Sequence, residues 1–237
     1  MPTVLITGAN QGIGLEFARH YAADGWNVIA CCRTPEKADE LHVLADKHSA
    51  ITIEQLDVCD HDAIDALGSK YKGAPIDVLL NNAGIIGPIP IAENIYRQHF
   101  GSIDYDVWQQ VIETNTFAPI KLAEVFLDNV AASEQKKIVN ISSNVGSIVE
   151  RNLPAIAYGT SKTALNKAST VIAEQLREHN IIVALFCPGA VKTRMDAWGN
   201  AGVGIEESVS SLRPLIDSLT MSDSGSYRDY TGRTIAW

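Results

Sequence analysis

No apolar stretch in this 237-residue chain approaches the ~20 residues needed to span a bilayer. Nor does a basic segment followed by an apolar one open it, and both absences argue for a cytoplasmic protein rather than a membrane-inserted or secreted one. Basic charge is also short. With 19 Lys and Arg against 28 Asp and Glu, the formal net charge is -9, which leaves no footprint for nucleic acid or an anionic membrane. A small, uncharged or cationic ligand fits better, although a mild acidic excess also simply keeps a protein soluble. Cysteine is scarce: Cys31, Cys32, Cys59 and Cys187 form no CxxC pair and sit in or beside apolar runs. They read as reduced core residues, and the six histidines form no ligand set, so no metal is expected. Repeats, low-complexity tracts and interdomain linkers are missing too, so residues 1–237 read as a single domain with a large core.

Short apolar runs are present in quantity, at 4–6, 28–32, 51–56, 76–80, 138–141 and 181–186. Between them, apolar residues recur at helical spacing over 36–48, 60–72, 104–132, 156–179 and 205–220. Strand and helix in alternation predict a parallel sheet with helices on both faces, joined by right-handed crossovers. Two segments read as irregular: 84–101, with two prolines and glycines at 84, 87 and 101, and 195–204, with three glycines. Loops beyond strand ends are where such sheets place ligand contacts, so both are candidate pocket walls; plain surface connections would look the same.

The run Val4-Leu5-Ile6 breaks into Thr7-Gly8-Ala9-Asn10-Gln11-Gly12-Ile13-Gly14, and an apolar helical face follows as far as Gly25. Glycines at 8, 12 and 14 permit a tight turn, a close backbone approach to a pyrophosphate and close helix packing, while a helix N-terminus offers N–H groups to the anion. By itself the turn could equally be an ordinary strand-to-helix connection. Tyr158 and Lys162 stand four apart, on one face of a helix, where an ammonium can favour the ionised phenol and so tune an acid. Such pairs also arise by chance on surfaces. Fifteen residues before Tyr158, Ser143 closes Asn140-Ile141-Ser142-Ser143 at a strand end. Ser142 is its rival, and a strand-end cap is the plain alternative.

With Asn81-Asn82-Ala83-Gly84, Asn115 and Pro188-Gly189, these elements resemble the short-chain dehydrogenase/reductase family across nearly the whole chain. The ending, Asp223-Ser224-Gly225-Ser226-Tyr227 through Asp229-Tyr230-Thr231-Gly232 to Ile235-Ala236-Trp237, is similar to the family's small carbonyl reductases of the C-factor and sniffer type. The resemblance implies a Rossmann-type doubly wound sheet of order 3-2-1-4-5-6-7 with a coenzyme across the carboxyl ends of the strands. It also implies reduction of a small ketone or aldehyde by NADPH. Hydride addition to a carbonyl carbon leaves charge on oxygen, which requires a hydrogen-bond donor and a proton. Tyr158 is the expected proton donor. Ser143 is the expected hydrogen-bond donor, because the family's serine is followed by x-x-Gly, here Asn144-Val145-Gly146.

By the same resemblance, Lys162 also holds the nicotinamide ribose, and Asn115 holds a water relaying protons from Lys162 to solvent. Gly8, Asn10, Gln11, Gly12, Ile13 and Gly14 form the coenzyme turn. Asp57 and Val58 reach the adenine, and Asn82, Ala83 and Gly84 let the coenzyme approach, although the asparagines equally suit a turn. Pro188, Gly189, Val191 and Thr193 meet the carboxamide end, with Met195 and Trp198 on a candidate lid or simply on the core or surface. Arg33, in Cys31-Cys32-Arg33-Thr34, occupies the end of the second strand, where NAD enzymes of this kind carry a carboxylate. It can fork onto a 2′-phosphate, so NADP(H) is expected over NAD(H). Gln11 departs from the basic residue that many NADP members place there. The serine-to-tyrosine spacing is slightly longer than the family's usual one, which bears on the loop 147–155 and on substrate fit. Alternatives are an alcohol dehydrogenase working oxidatively and a coenzyme-binding sensor without catalysis; a full set of Asn115, Ser143, Tyr158 and Lys162 argues against the sensor. A homodimer or homotetramer through the helices at 104–132 and 156–179 is expected.

Overall fold

The computed structural model of the chain describes residues 1–150, 153–196 and 201–237. In chain order it runs β1 (Thr3–Thr7), α1 (Gly12–Ala23), β2 (Asn27–Cys32), α2 (Asp39–Lys47), β3 (Ile51–Gln55), α3 (His61–Lys70) and β4 (Val78–Asn81). There follow α4 (Ile91–Asn94), α5 (Tyr105–Ile112), α6 (Ala118–Val125), α7 (Leu127–Ala131), β5 (Lys137–Ile141), α8 (Ile156–Gln175), β6 (Ile182–Cys187), α9 (Ile205–Asp217) and β7 (Tyr227–Asp229).

The strands form one seven-stranded parallel sheet of order β3-β2-β1-β4-β5-β6-β7, as the resemblance implied. Strands buried on both faces need apolar residues at every position, and their alternation divides the core in two. Val4, Ile6, Val28, Ala30 and Cys32 point to one side, where Phe17, Leu41 and Leu212 cover them from α1, α2 and α9. Leu5, Ile29, Cys31 and Leu79 point to the other, under Ile64, Leu122, Phe126 and Ala173 from α3, α6 and α8 with the connection after α6.

The expected strand and helix ends shift by at most four residues, and three departures are larger. The stretch 104–132 is not one helix. Asp104 caps α5 by accepting from the amides of Asp106 and Val107, but residues Glu113–Phe117 widen into a π turn before α6 begins at Ala118. The segment 84–101 is not wholly irregular, since α4 and a 3₁₀ turn at Ile95–Gln98 lie within it. Cys59 is not a core residue. The third strand has ended by then, and the exposed Cys59 sits in a turn, its amide bonded to Asp57 Oδ1 at 3.0 Å.

Candidate functional site

The carboxyl ends of the strands carry almost every residue singled out from the sequence. At the end of β1, Gly8 and Gly12 take positive φ of 67° and 56°. A β-carbon on Gly14 would lie 2.3 Å from Gly8 O, so the turn closes against α1 only with glycine there. Asn10, Gln11 and Ile13 lie on the same turn. Gln11, at the helix cap, makes no side-chain capping bond, and the first turn of α1 holds no acidic residue. That leaves N–H groups and the positive end of the helix dipole facing outward, and a dinucleotide phosphate fits this cradle.

Arg33 follows β2 with its side chain exposed, and Gln55 Nε2 reaches its carbonyl at 3.4 Å. Beyond β3, Asp57 is exposed and Val58 is buried. After β4, Asn82 Nδ2 donates to Thr7 O at 2.8 Å and Gly8 O at 3.2 Å, while Thr7 Oγ1 accepts from the amides of Asn82 and Ala83, both at 3.0 Å. Asn82 therefore ties β4 to the glycine turn, and the sequence had left it between turn former and coenzyme contact. Past β6, Pro188 O accepts from Ser208 Oγ at 2.7 Å. Gly189, Val191 and Thr193 continue across the cleft, with the Thr193 methyl 3.7 Å from where a Gly12 β-carbon would stand. Trp198 lies outside the described residues.

Ser143, Tyr158, Lys162 and Asn115 converge at the centre. Ser143 leaves the end of β5 and lines the same cavity as Tyr158. Ser142 is committed elsewhere, donating to Asn166 Oδ1 at 2.6 Å. The serine turn lies flat on α8 because position 146 is glycine: a β-carbon there would be 3.0 Å from Lys162 C and Cβ. Lys162 Nζ donates to Ile141 O at 2.9 Å. Burial pushes the Tyr158 phenol up to about 12, against the opposing effect of the Ser143 hydroxyl, and lowers Lys162 to about 8. The expected effect of the ammonium on the phenol is thus not the dominant one: desolvation holds each group toward its neutral form, and the ammonium is spent on a carbonyl.

Asn115 sits in the π turn, fully buried rather than solvated. Its Nδ2 donates to Ile85 O at 2.7 Å and Ser161 Oγ at 3.0 Å, and its Oδ1 accepts from Ile85 N at 2.9 Å. The side chain expected to hold a water therefore first fixes the strand-β4 loop against α8. Ser161 Oγ passes the chain on to Tyr158 O at 2.7 Å.

A cavity of about 190 Å³ opens in front of Ser143 and Tyr158. Ile86, Val145 and Leu153 wall one side, with Gly189, Val191 and Met195 on the other. Of its supports, Glu150 and Gln98 carried no sequence signal, and Tyr227 lies in the ending that carries the carbonyl-reductase resemblance. Glu150, on the lengthened serine loop, accepts both terminal nitrogens of Arg233 at 3.0 Å and the amide of Ala236 at 2.9 Å. Tyr227, on β7, donates its hydroxyl to Ser143 O. Gln98 reaches both Ile86 and Tyr158. These pairs are separated by 12 to 86 residues, far beyond any local motif. No helix among the described residues is long and apolar enough to cross a membrane, and no group of three or more His, Cys, Asp or Glu among them could hold a metal ion.

The sequence pattern of the short chain dehydrogenase family matches residues 2–203. Among solved structures, the NADPH-bound carbonyl reductase from chicken fatty liver is 34% identical, covers 100% of this chain and 99% of that one, and superposes with a TM-score of 0.89. The carbonyl reductase Sniffer of D. melanogaster is 30% identical over 100% of both chains, also with a TM-score of 0.89. A curated relative, the 1-hydroxy-2-glutathionyl-2-methyl-3-butene dehydrogenase of Rhodococcus sp., is 29% identical over 100% of each chain.

Proposed function

The chain belongs to the short-chain dehydrogenase family, and on that premise we propose that it is an NADPH-dependent carbonyl reductase, with Tyr158 as the proton donor to a small ketone or aldehyde. The observation that carries the reading is that Ser143 and Tyr158 line one largely apolar cavity, beside a glycine turn built for a dinucleotide. The NADPH-bound carbonyl reductase from chicken, similar over the whole chain, supports the choice of coenzyme and of direction.

When bound, the coenzyme supplies a hydride to the carbonyl carbon. The residues of the chain bind, orient and handle the proton. Gly8 to Gly14 receive the pyrophosphate on backbone N–H groups, Arg33 meets the 2′-phosphate, and Pro188 to Thr193 bound the nicotinamide end. The Ser143 hydroxyl donates a hydrogen bond to the substrate oxygen as charge develops there. Tyr158 transfers its phenolic proton to that oxygen and takes another through Lys162 and the Asn115 segment. The phenol is protonated at neutral pH, as donation requires. Assembly into a homodimer or homotetramer belongs to the same proposal; Tyr105, Phe117 and Val171 are exposed on the helical segments that would meet.

The test is NADPH consumption over a panel of ketones, aldehydes and quinones, run with wild type and Tyr158→Phe. Wild type should turn over at least one neutral apolar carbonyl compound, and Tyr158→Phe should lose about two to four orders of magnitude with coenzyme affinity retained, the span of a positioned acid. Near-normal turnover by Tyr158→Phe at saturating substrate would remove Tyr158 as the donor.

A further inference from the structure

Gln98 belongs to no motif and lies within a segment that reads as loop, yet it is 1% exposed. A glutamine is buried at a cost unless its amide is paired, and both ends of this one are used. Nε2 donates to Ile86 O at 2.7 Å, and Oε1 accepts from Tyr158 N at 3.0 Å. Tyr158 is the third residue of α8, so its amide is one of the four that a helix start leaves without an internal partner. The cap residue Ala155 has no side-chain acceptor to offer. Gln98 satisfies that amide from another element, and its other bond holds the carbonyl of Ile86, which walls the cavity. The backbone beside it is shaped to admit the amide: a β-carbon on Gly87 would stand 2.8 Å from Gln98 Nε2.

Resting on the reading of Tyr158 as proton donor, we propose that Gln98 is a positioning residue for the reaction. One buried amide couples the first turn of α8, and through it the phenol, to the Ile86 wall against which the substrate lies. Phenol and wall then hold one spacing, which sets how far the substrate oxygen stands from the proton. Gln98 does not touch the reacting atoms and leaves the coenzyme turn alone.

The experiment compares wild type with Gln98→Leu, Gln98→Glu and Tyr158→Phe. Gln98→Leu keeps the volume but strands Ile86 O and Tyr158 N. It should lower kcat/KM about 10- to 100-fold, the scale of a misplacement near 1 Å, with NADPH affinity changed by less than about twofold. Gln98→Glu imitates the amide only when neutral, since a protonated carboxyl donates through O–H and accepts through C=O, whereas the carboxylate sets a second acceptor against Ile86 O. Its titratable neighbours are Arg97, paired with Asp104, His99 next along the chain, and Tyr158 on α8, which burial keeps neutral. Activity of Gln98→Glu should therefore approach wild type at low pH and fall to the Gln98→Leu level as the carboxyl ionises. Wild type and Gln98→Leu should show no such limb. The proposal is overturned if Gln98→Leu keeps kcat and KM within about twofold of wild type. It is equally overturned if the Gln98→Glu profile parallels wild type, or if its loss follows the folded fraction by circular dichroism rather than kcat per folded molecule. Should Gln98→Leu fail to fold, the Gln98→Glu profile decides alone. A fully active Tyr158→Phe would instead overturn the donor assignment, so the two failures are distinct.

Discussion

Lys162 is buried beside Tyr158, and desolvation lowers it from 10.5 to about 8. Below pH 8 both folded and unfolded chains carry its proton, so the cost of burying the ammonium is fully present. Between about 8 and 10.5 the unfolded chain binds more protons than the folded one, and stability rises with pH through that window. Lys162→Met keeps the length and removes the charge. It should be more stable than wild type at pH 7 in the absence of coenzyme, and the advantage should shrink steadily toward pH 10.5; urea melts at pH 7, 8.5 and 10 test this, and a constant advantage would deny the lysine its shift. Tyr158, raised to about 12, works oppositely and only above pH 10, where the unfolded chain loses its proton first. Arg33 presents the second residue-scale expectation. Wild type should prefer NADPH to NADH, Arg33→Ala should cost NADPH about 1.5 to 3 kcal/mol, and Arg33→Asp should reverse the preference. Coenzyme titration checks it, and an unchanged ratio in both variants would move the 2′-site elsewhere. The tyrosine, lysine and glycines were legible in sequence because helix and turn geometry fix their spacing. Gln98 and Glu150 were not, because their partners come from other elements.

Elements packed face to face impose limits that helix propensity alone misstates. Gly68 lies inside α3, where alanine would intrinsically gain about 1 kcal/mol. Here a β-carbon would stand 2.2 Å from Val125 Cγ1, so α3 and α6 pack with that glycine as the gap. Gly68→Ala should therefore destabilise by about 1 to 3 kcal/mol through overpacking. Adding Val125→Ala should recover part of the loss. Urea unfolding of the two single variants and the double variant measures the coupling; additive effects would mean that the helices simply shift apart. Apolar periodicity revealed that these helices exist, but not where 104–132 widens into a π turn. The widening turns on Asn115, whose side-chain bonds to Ile85 and Ser161 suit a wide turn and cannot be read from local pattern. Only the resemblance implied the strand β7, since Tyr-Arg-Asp has no apolar run to reveal it and pairs along the edge of β6.

Across the whole molecule, one sheet is shared by both cores, so neither face can be lost without exposing the other. We expect residues 1–237 to behave as a single domain with one unfolding transition, seen identically by variants whose sole tryptophan is Trp26, in the core under α1 and α9, or Trp108, packed near Val107 and Ala157. Separated midpoints would divide the molecule in two. The fold was legible because alternation of strand and helix leaves few topologies. The cavity's supports were not, since they join distant parts of the chain. One of these supports also has a consequence in time. The loop carrying Glu150 is fastened by Arg233 and Ala236, partners 83 and 86 residues further on. Closing so large a loop is costly in entropy and comes late. During synthesis the serine loop emerges before Arg233 and Ala236, so it stays unfastened until they are made.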